Sequence, residues 1–261
     1  MKRLLSLFRM FGLDFEKMRV ALSDVPRFIK NLKQYRQINS ESHKLFPNEK
    51  TAPCLGDSNT FSGCGRGAYF YQDLWVAQQI FLNAPIRHID VGSRVDGFVA
   101  HVASFRALEV IDIRPLPDDI PHVCFRQADM MGKMPQDLEE CCDSVSCLHA
   151  LEHFGLGRYG DPIDPDGWRK GFDNLCVMLK IGGRLYLSVP IGPSRTEFNS
   201  QRVFSLQLLA SLFRENFTIE KMALIDDAGN LRTKVDLTEI RAADNFGIRC
   251  GCGIVIAVKK K

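Results

Sequence analysis

Five short runs of β-branched and aliphatic residues, each closing on an acidic or polar turn, constrain the possible fold of this chain more than any other feature. They cover residues 86–91 (IRHIDV), 108–113 (LEVIDI), 123–127 (VCFRQ), 144–149 (SVSCLH) and 184–190 (RLYLSVP). Runs this apolar suit strands covered on both faces, the situation of a parallel sheet. Between and around them the spacing predicts helices over 74–84 (LWVAQQIFLNA), 97–104, about 167–179 and about 205–215. Gly182-Gly183 reads as a helix-to-strand turn, and residues 217–225 and 253–259 as a closing strand pair. Strands alternating with helices through short turns predict an α/β architecture. Its sheet is doubly wound and mostly parallel, with helices on both faces.

The first 67 residues are of another kind. Through Arg36 they hold nine Lys/Arg (2, 3, 9, 17, 19, 27, 30, 33, 36) against three acids (14, 16, 24), with Leu4, Leu5, Phe8, Phe11 and Leu13 near helical spacing. This predicts a basic amphipathic helix as an N-terminal extension. It could hold weakly to an anionic membrane surface or a membrane-bound partner. The plainer reading is a helix packed on the main domain with its lysines in water. MKRLLSLFRMFG starts like a signal peptide, but Arg9 interrupts the apolar run and no small-residue cleavage site follows. Residues 39–67, rich in Ser, Asn, Gly and Pro, predict an irregular connection that folds over the main domain as a lid. The division expected is therefore 1–67, helix plus lid, and 68–261, the main domain.

Composition removes whole classes of function. With 261 residues, 45% hydrophobic and 25% charged, the chain can bury a core. A formal charge of +3 is too small to argue for nucleic acid as a partner. The nine cysteines include adjacent Cys141 and Cys142 and the pair Cys250 and Cys252, but no paired CxxC knuckles. Free thiols in a reducing, cytoplasmic setting are expected, without structural zinc. No run approaches the length of a membrane span. Nothing in the sequence fixes an oligomeric state.

In a doubly wound sheet the ligand lies beyond the carboxyl ends of the strands, where strand order reverses. The first strand here runs into Asp90-Val91-Gly92-Ser93-Arg94-Val95-Asp96-Gly97. On the Rossmann dinucleotide fingerprint GxGxxG, Gly92 and Gly97 take the first and third places, but Arg94 takes the second. There the backbone must approach a pyrophosphate. This Rossmann-like turn therefore suits a nucleoside without phosphate, and S-adenosylmethionine is such a cofactor. Asp112 ends the second strand 20 residues after Gly92, where a carboxylate can accept both ribose hydroxyls. Asp129, past the third strand, can accept the adenine amine, with Ile113 and Met130 as apolar neighbours of the ring. Asp90, with Gly92 and Ser93 in the turn, is expected to act on the methionine amino group, directly or through water. Tyr71 and Asp73 are expected to close over the cofactor with the lid. Gly63, Gly65 and Gly67 form no phosphate loop, since no strand precedes them and no Gly-Lys-Ser/Thr follows.

These residues resemble the class I methyltransferase fold, in which strand one ends in an acidic, glycine-bearing loop; Arg94 departs from that pattern. More narrowly, HIDVGSRVDGFVAH, DIRPL, CLHALEHFGLGRYGDPIDPDGW, GGRLYLSVPIG and FNSQRVF together resemble a bacterial family catalogued as a domain of unknown function, over residues 65 to 225. Members of that family look like enzymes of surface-polysaccharide assembly. The resemblance implies the fold and the cofactor, with a small-molecule or glycan acceptor.

His149-Ala150-Leu151-Glu152-His153 formally matches HxxEH, but it follows a strand and runs into Phe154-Gly155-Leu156-Gly157, so no helix sets both histidines around zinc. No metal is expected. Leu-Glu-His after strand four is common in the methyltransferase class, where the resemblance places it beside the methyl group and the acceptor. A hydroxyl acceptor benefits from a base of near-neutral pKa. His153 is the first candidate and His149 the second, while Glu152 orients a histidine or holds a sugar hydroxyl. His149 and Glu152 alternatively only shape the pocket. In the irregular segment 155–168, Arg158, Tyr159, Asp161 and Asp164 offer the mixture that grips carbohydrate. Arg114, Arg195, Asn199 and Arg202 would meet it across the cleft and suit an acceptor carrying phosphate or carboxylate. The leading expectation is O-methylation of a sugar or nucleotide-sugar in surface-glycan biosynthesis. One competitor is a nicotinamide-dependent nucleotide-sugar oxidoreductase or epimerase, for which no Tyr-x-x-x-Lys pair is present. The other is a non-catalytic module binding a glycan-assembly partner. Fold alone does not separate the three.

Overall fold

The computed structural model describes residues 8, 10–38, 50–59, 65, 67–235 and 244–260. The chain forms two compact units, Met1–Cys64 and Gly65–Lys261.

In the first unit, helix α1 runs Phe15–Gln37. Asp14 caps it, its carboxylate accepting from the Glu16 and Lys17 N–H groups at 3.1 Å each. Asp24 is buried and accepts from the Arg27 guanidinium and, at 2.8 Å, from the Gly56 N–H. The Arg27 hydrogen bond and then the Gly56 N–H hold its carboxyl down at about 2. Much of the lid expected over 39–67, namely 39–49, 60–64 and 66, lies outside the described residues, as do Leu4 and Leu5.

The second unit begins with α2 (Ala68–Asn83), then β1 (His88–Val91), α3 (Ala100–Ala103), β2 (Leu108–Asp112), β3 (Val123–Gln127) and β4 (Cys142–Leu148). It continues through α4 (Gly167–Met178), β5 (Leu179–Ile191), β6 (Arg195–Glu197), β7 (Gln201–Val203), α5 (Leu206–Leu212), β8 (Phe217–Ile225), β9 (Leu231–Arg232) and β10 (Gly251–Lys259). The main sheet has the order β3-β2-β1-β4-β5-β10-β8-β9, with β6 and β7 in a separate hairpin. The first five strands of that order are parallel, and β10 is antiparallel to both β5 and β8. The architecture is the doubly wound, mostly parallel sheet expected. β8 and β10 do pair with one another, and β10 also pairs β5.

Each face of the sheet carries its own core. On one, α4 and α5 bring Phe172, Leu175, Leu206 and Leu209 onto Val145, Leu185, Leu187 and Val255. On the other, α2 brings Val76, Ala77 and Ile80, with Phe98, Val99 and Val102, onto Val110, Tyr186 and Ile254. Burying a Leu or Phe side chain of this kind contributes roughly 1.5–3 kcal/mol, so the two layers fix the sheet firmly. Strand order reverses between β1 and β4, and that is where a crevice must open.

Several boundaries differ from the sequence reading. Ile86 is 94% exposed and belongs to no strand, because the Ile86 and Arg87 N–H groups bind the Asp143 carboxylate before β1 begins. The helix expected over 97–104 starts as a wide turn, Val95–Val99, and becomes regular only at Ala100.

Candidate active site

Strand β1 places two polar residues, His88 and Asp90, on the same face, and β4 places Ser144 and Ser146 opposite them in register. The four are buried and linked. The Ser146 hydroxyl donates to Asp90 Oδ1 at 2.5 Å, so it must accept from His88 Nε2–H, 3.2 Å away. His88 Nδ1 then accepts from the Ser144 hydroxyl at 2.7 Å. Burial holds His88 neutral, its pKa pushed down to about 3. Asp90 also takes the Ser93 hydroxyl and N–H, at 2.7 and 3.1 Å, and so fastens the turn that follows β1. Expected at the methionine amino group, Asp90 is fully buried, with its carboxylate taken up by Ser93 and Ser146.

Burial raises the Asp90 carboxyl from 3.8 to about 6. The native chain therefore holds that proton more tightly than the unfolded one. Between 3.8 and about 6 its contribution to stability falls as pH rises, by about 3 kcal/mol in all. Asp90→Asn is expected to remove this slope in urea midpoints measured across that window. Parallel curves for the two proteins would show that Asp90 carries no such linkage.

At the turn itself Gly92 has φ +75°, and a Cβ there would stand 2.7 Å from the Ala150 Cβ. The Gly97 and Val99 N–H groups, which a pyrophosphate would need, both point at the Arg94 carbonyl, 3.3 and 3.4 Å away. The Arg94 side chain leaves the turn, 68% exposed and paired with Asp96 at 2.7 Å.

Beyond the ends of β1, β2 and β4 lies a cleft of about 470 Å³, within the usual range for small-molecule sites. Gly92, Ser93, Asp112, Ile113, Asp129 and Met130 line it, together with Asp73. Asp112 is mostly buried; its Oδ1 accepts from the Arg114 N–H and Nε at 2.8 and 3.0 Å and its Oδ2 from Nη2 at 2.6 Å, which leaves one lone pair, on Oδ2. Asp129 accepts the Met131 N–H at 2.8 Å. Asp73 is buried beside Gly97, and burial raises its carboxyl despite a hydrogen bond from Gln72 Nε2 at 3.0 Å. Among the described residues it has no ion-pair partner. Tyr71 packs into the core beneath α2, and Tyr69 lines the cleft instead.

The other end of the cleft is built by the turn after β4. His149 adopts φ +49°, strained for a side chain of this size, with its ring 5.2 Å from that of Tyr69. Its Nδ1 meets Glu152 Oε1 at 2.9 Å. Burial alone would lower its pKa, but the Cys252 sulfur and the Glu152 carboxylate outweigh it and hold the imidazole well above the ordinary value. His149 Nε2 and Glu152 Oε2 are buried without a protein partner. His153 Nδ1 lies 2.6 Å from the Ser200 carbonyl, which fixes the proton on that nitrogen and leaves Nε2 a lone pair, 3.7 Å from Glu152 Oε1. Burial, helped by Arg158 and His149, lowers the His153 pKa, so the neutral imidazole prevails. The Tyr159 ring stands edge-on to His153 at 5.5 Å, with the Arg114 and Arg158 guanidiniums 4.3 and 5.2 Å from its centroid.

His149, His153, Arg114, Arg158, Tyr159 and Asp161 therefore line one cleft, while Glu152 lies wholly buried behind the two histidines. Asp161 reaches the lining, but its carboxylate is committed to the Gly155, Gly157 and Tyr159 N–H groups at 2.9, 3.0 and 3.1 Å. Four further expectations are corrected. Arg202 is buried and donates to the carbonyls of Glu152, Phe154, Asp164 and Pro165, holding the loop in place. Asp164 binds Lys170 and the Asp166 N–H. Arg195 pairs with Glu197, and Asn199 turns the β6–β7 hairpin at φ +60°. None of these four lines the cleft. Among the described residues no cluster of His, Cys, Asp and Glu could hold a metal.

Over residues 125–248, just under half of the chain, the sequence matches a family described as "Caenorhabditis protein of unknown function, DUF268". A search of curated protein sequences finds no match. Among solved structures the chain superposes on the [4+2]-cyclase SpnF with a TM-score of 0.55 and 14% identity, covering 77% of this chain and 86% of that one. It superposes on geranyl diphosphate methyltransferase, solved with SAM, at a TM-score of 0.50 and 10% identity, covering 72% and 84%. N-methyltransferase NodS from Bradyrhizobium japonicum WM9, solved with S-adenosylhomocysteine, aligns at 0.49 and 13%, covering 75% and 89%. The fold is of the class I methyltransferase type. It hosts a cyclase as well as methyltransferases among these neighbours, so the reaction must be argued from the site.

Proposed function

We propose that this chain is an S-adenosylmethionine-dependent methyltransferase that O-methylates a sugar or nucleotide-sugar acceptor in bacterial surface-glycan assembly. The observation that carries the reading is the set of carboxylates in the cleft. Asp73, Asp112 and Asp129 line one crevice at the switch point, and in the turn beside them the Gly92, Ser93, Gly97 and Val99 N–H groups are engaged within the protein. Such a set fits a nucleoside that bears an ammonium and no phosphate. Asp112 would accept the ribose hydroxyls and Asp129 the adenine amine, with Ile113 and Met130 against the ring. Asp73, buried and lacking a cation, would receive the ammonium. When bound, the cofactor supplies an electrophilic methyl group on a sulfonium.

Much of the rate of such a transfer comes from alignment, which the rigid turn after β4 provides. His153 Nε2 takes the proton of the acceptor hydroxyl, and Glu152 at 3.7 Å balances the imidazolium formed. His149 Nε2 and Glu152 Oε2 are buried without a protein partner, so this polar pair lies behind the cleft wall beside His153. Arg114 and Arg158, held against the Tyr159 ring, favour an acceptor with a carboxylate or phosphate. The glycan setting rests on the sequence resemblance over residues 65 to 225. A reducing, cytoplasmic location is supported by the eight described cysteines, all free.

Calorimetric titration of the purified protein with S-adenosylhomocysteine, and separately with NAD, tests the reading. Micromolar binding of the first, about −8 kcal/mol, without the second is expected. NAD binding alone would replace the proposal with a nicotinamide enzyme. Binding of neither would leave a non-catalytic module.

A further inference from the structure

Helix α1 carries its large apolar side chains in solvent. Phe15, Met18, Leu22 and Ile29 are 45, 53, 65 and 45% exposed, and Met10, Phe11 and Leu13 just ahead of them 80, 76 and 52%. Single apolar side chains in water are ordinary, but a contiguous run of this size marks a contact surface. Positions 15, 18, 22 and 29 form one stripe at helical spacing. The opposite face is occupied from within the same unit. Buried Asp24 holds the Gly56 N–H there, and Val20 Cγ1 lies 3.0 Å from where a Gly56 Cβ would stand.

The charge on this helix has one sign. Within α1 there are six basic residues (17, 19, 27, 30, 33, 36) and two acids (16, 24), and Asp24 is committed to Arg27. Arg19 is four residues from Phe15 and three from Leu22, and Lys33 is four from Ile29 and three from Lys30, so these cations rise along one flank of the stripe. Among the described residues Lys17, Arg19, Lys30 and Lys33 make no ion pair. An apolar stripe with a cationic flank is the combination of a helix that lies in a membrane interface.

We infer that α1 docks on an anionic lipid surface, with Phe15, Met18, Leu22 and Ile29 entering the headgroup boundary and Arg19, Lys30 and Lys33 meeting lipid phosphates. No described helix is long and apolar enough to cross a membrane, so α1 lies along the surface. A second copy of the chain fits the stripe less well. Paired helices would set cations of the same sign beside the seam, and Pro26 removes an N–H from the ladder that a long coiled coil needs. The inference is independent of the reaction proposed above.

Sedimentation of the full-length protein with vesicles tests it, using phosphatidylcholine alone and phosphatidylcholine mixed with phosphatidylglycerol. Partition is expected to be at least about tenfold higher on the anionic vesicles and to fall with added salt. Met18→Glu combined with Leu22→Glu should abolish it. Lys30→Gln combined with Lys33→Gln should reduce it to the neutral-vesicle level. Both pairs sit on the surface of the helix, and circular dichroism with thermal unfolding checks that the variants fold. Equal partition onto both vesicle types would overturn the anionic assignment. Absence of binding to either type, with or without a dimer mass in light scattering, would overturn the inference as a whole.

Discussion

Asp112→Ala is expected to weaken S-adenosylhomocysteine binding by at least about 100-fold, a loss near 3 kcal/mol. Hydrogen bonds to a charged group are worth roughly 1.5–3 kcal/mol each, and the proposal assigns the ribose hydroxyls to this carboxylate. Its geometry is already set, because the Arg114 N–H, Nε and Nη2 hold both oxygens from one side at 2.8, 3.0 and 2.6 Å. One lone pair, on Oδ2, stays unused, so accepting both ribose hydroxyls requires Arg114 to release part of its hold on Oδ1. Calorimetry on the variant is the direct measurement, with thermal unfolding as the control for folding. Unchanged affinity would mean that the nucleoside lies elsewhere in the cleft.

His153→Ala should leave cofactor binding within about threefold of the parent and lower turnover by roughly 10²–10⁴, the usual contribution of a positioned general base. The two effects separate because the proposed mechanism puts the acceptor at His153, which lies beside Tyr159 and Glu152. The pH profile adds a readout that a packing defect would not give. With His153 in place, the rate should rise with pH through a value below the ordinary imidazole range, since burial favours the neutral ring. That limb should vanish in His153→Ala. Full turnover by the variant with its true acceptor would assign the whole acceleration to proximity and remove the base from the mechanism.

Much of this was legible before any coordinates. The parallel strands announced themselves as apolar runs, and Asp112 and Asp129 stand where strand ends must meet a ligand. Other features were legible but misread. Tyr71 and Asp73 are two residues apart, so on a helix they cannot share a face, whereas Tyr69 and Asp73, four apart, can. The observed cleft has Tyr69 and Asp73. Likewise His88 and Asp90 on β1, and Ser144 and Ser146 on β4, are each spaced by two, the signature of side chains on one face of a sheet. Read as pairs, they would have directed Asp90 inward. The fates of Arg202 and Asp161 were not legible. Each serves backbone groups of an irregular loop, and no periodicity in the sequence reports where such groups point.

The place of β10 has a consequence for how the chain comes into being. It is the last strand in sequence, yet it lies inside the sheet, antiparallel between β5 and β8 along nearly its whole length. Its Ile254, Val255 and Ile256 are essentially without solvent contact and contribute to both cores. During synthesis the parallel half, β1 to β5, can assemble as it emerges, but β5 keeps an open apolar edge. β8 has no strand joining it to that edge until residues 251–259 leave the ribosome. Completion of the sheet therefore waits for β10, and until that strand has emerged the β5 edge stands open to pairing with another molecule.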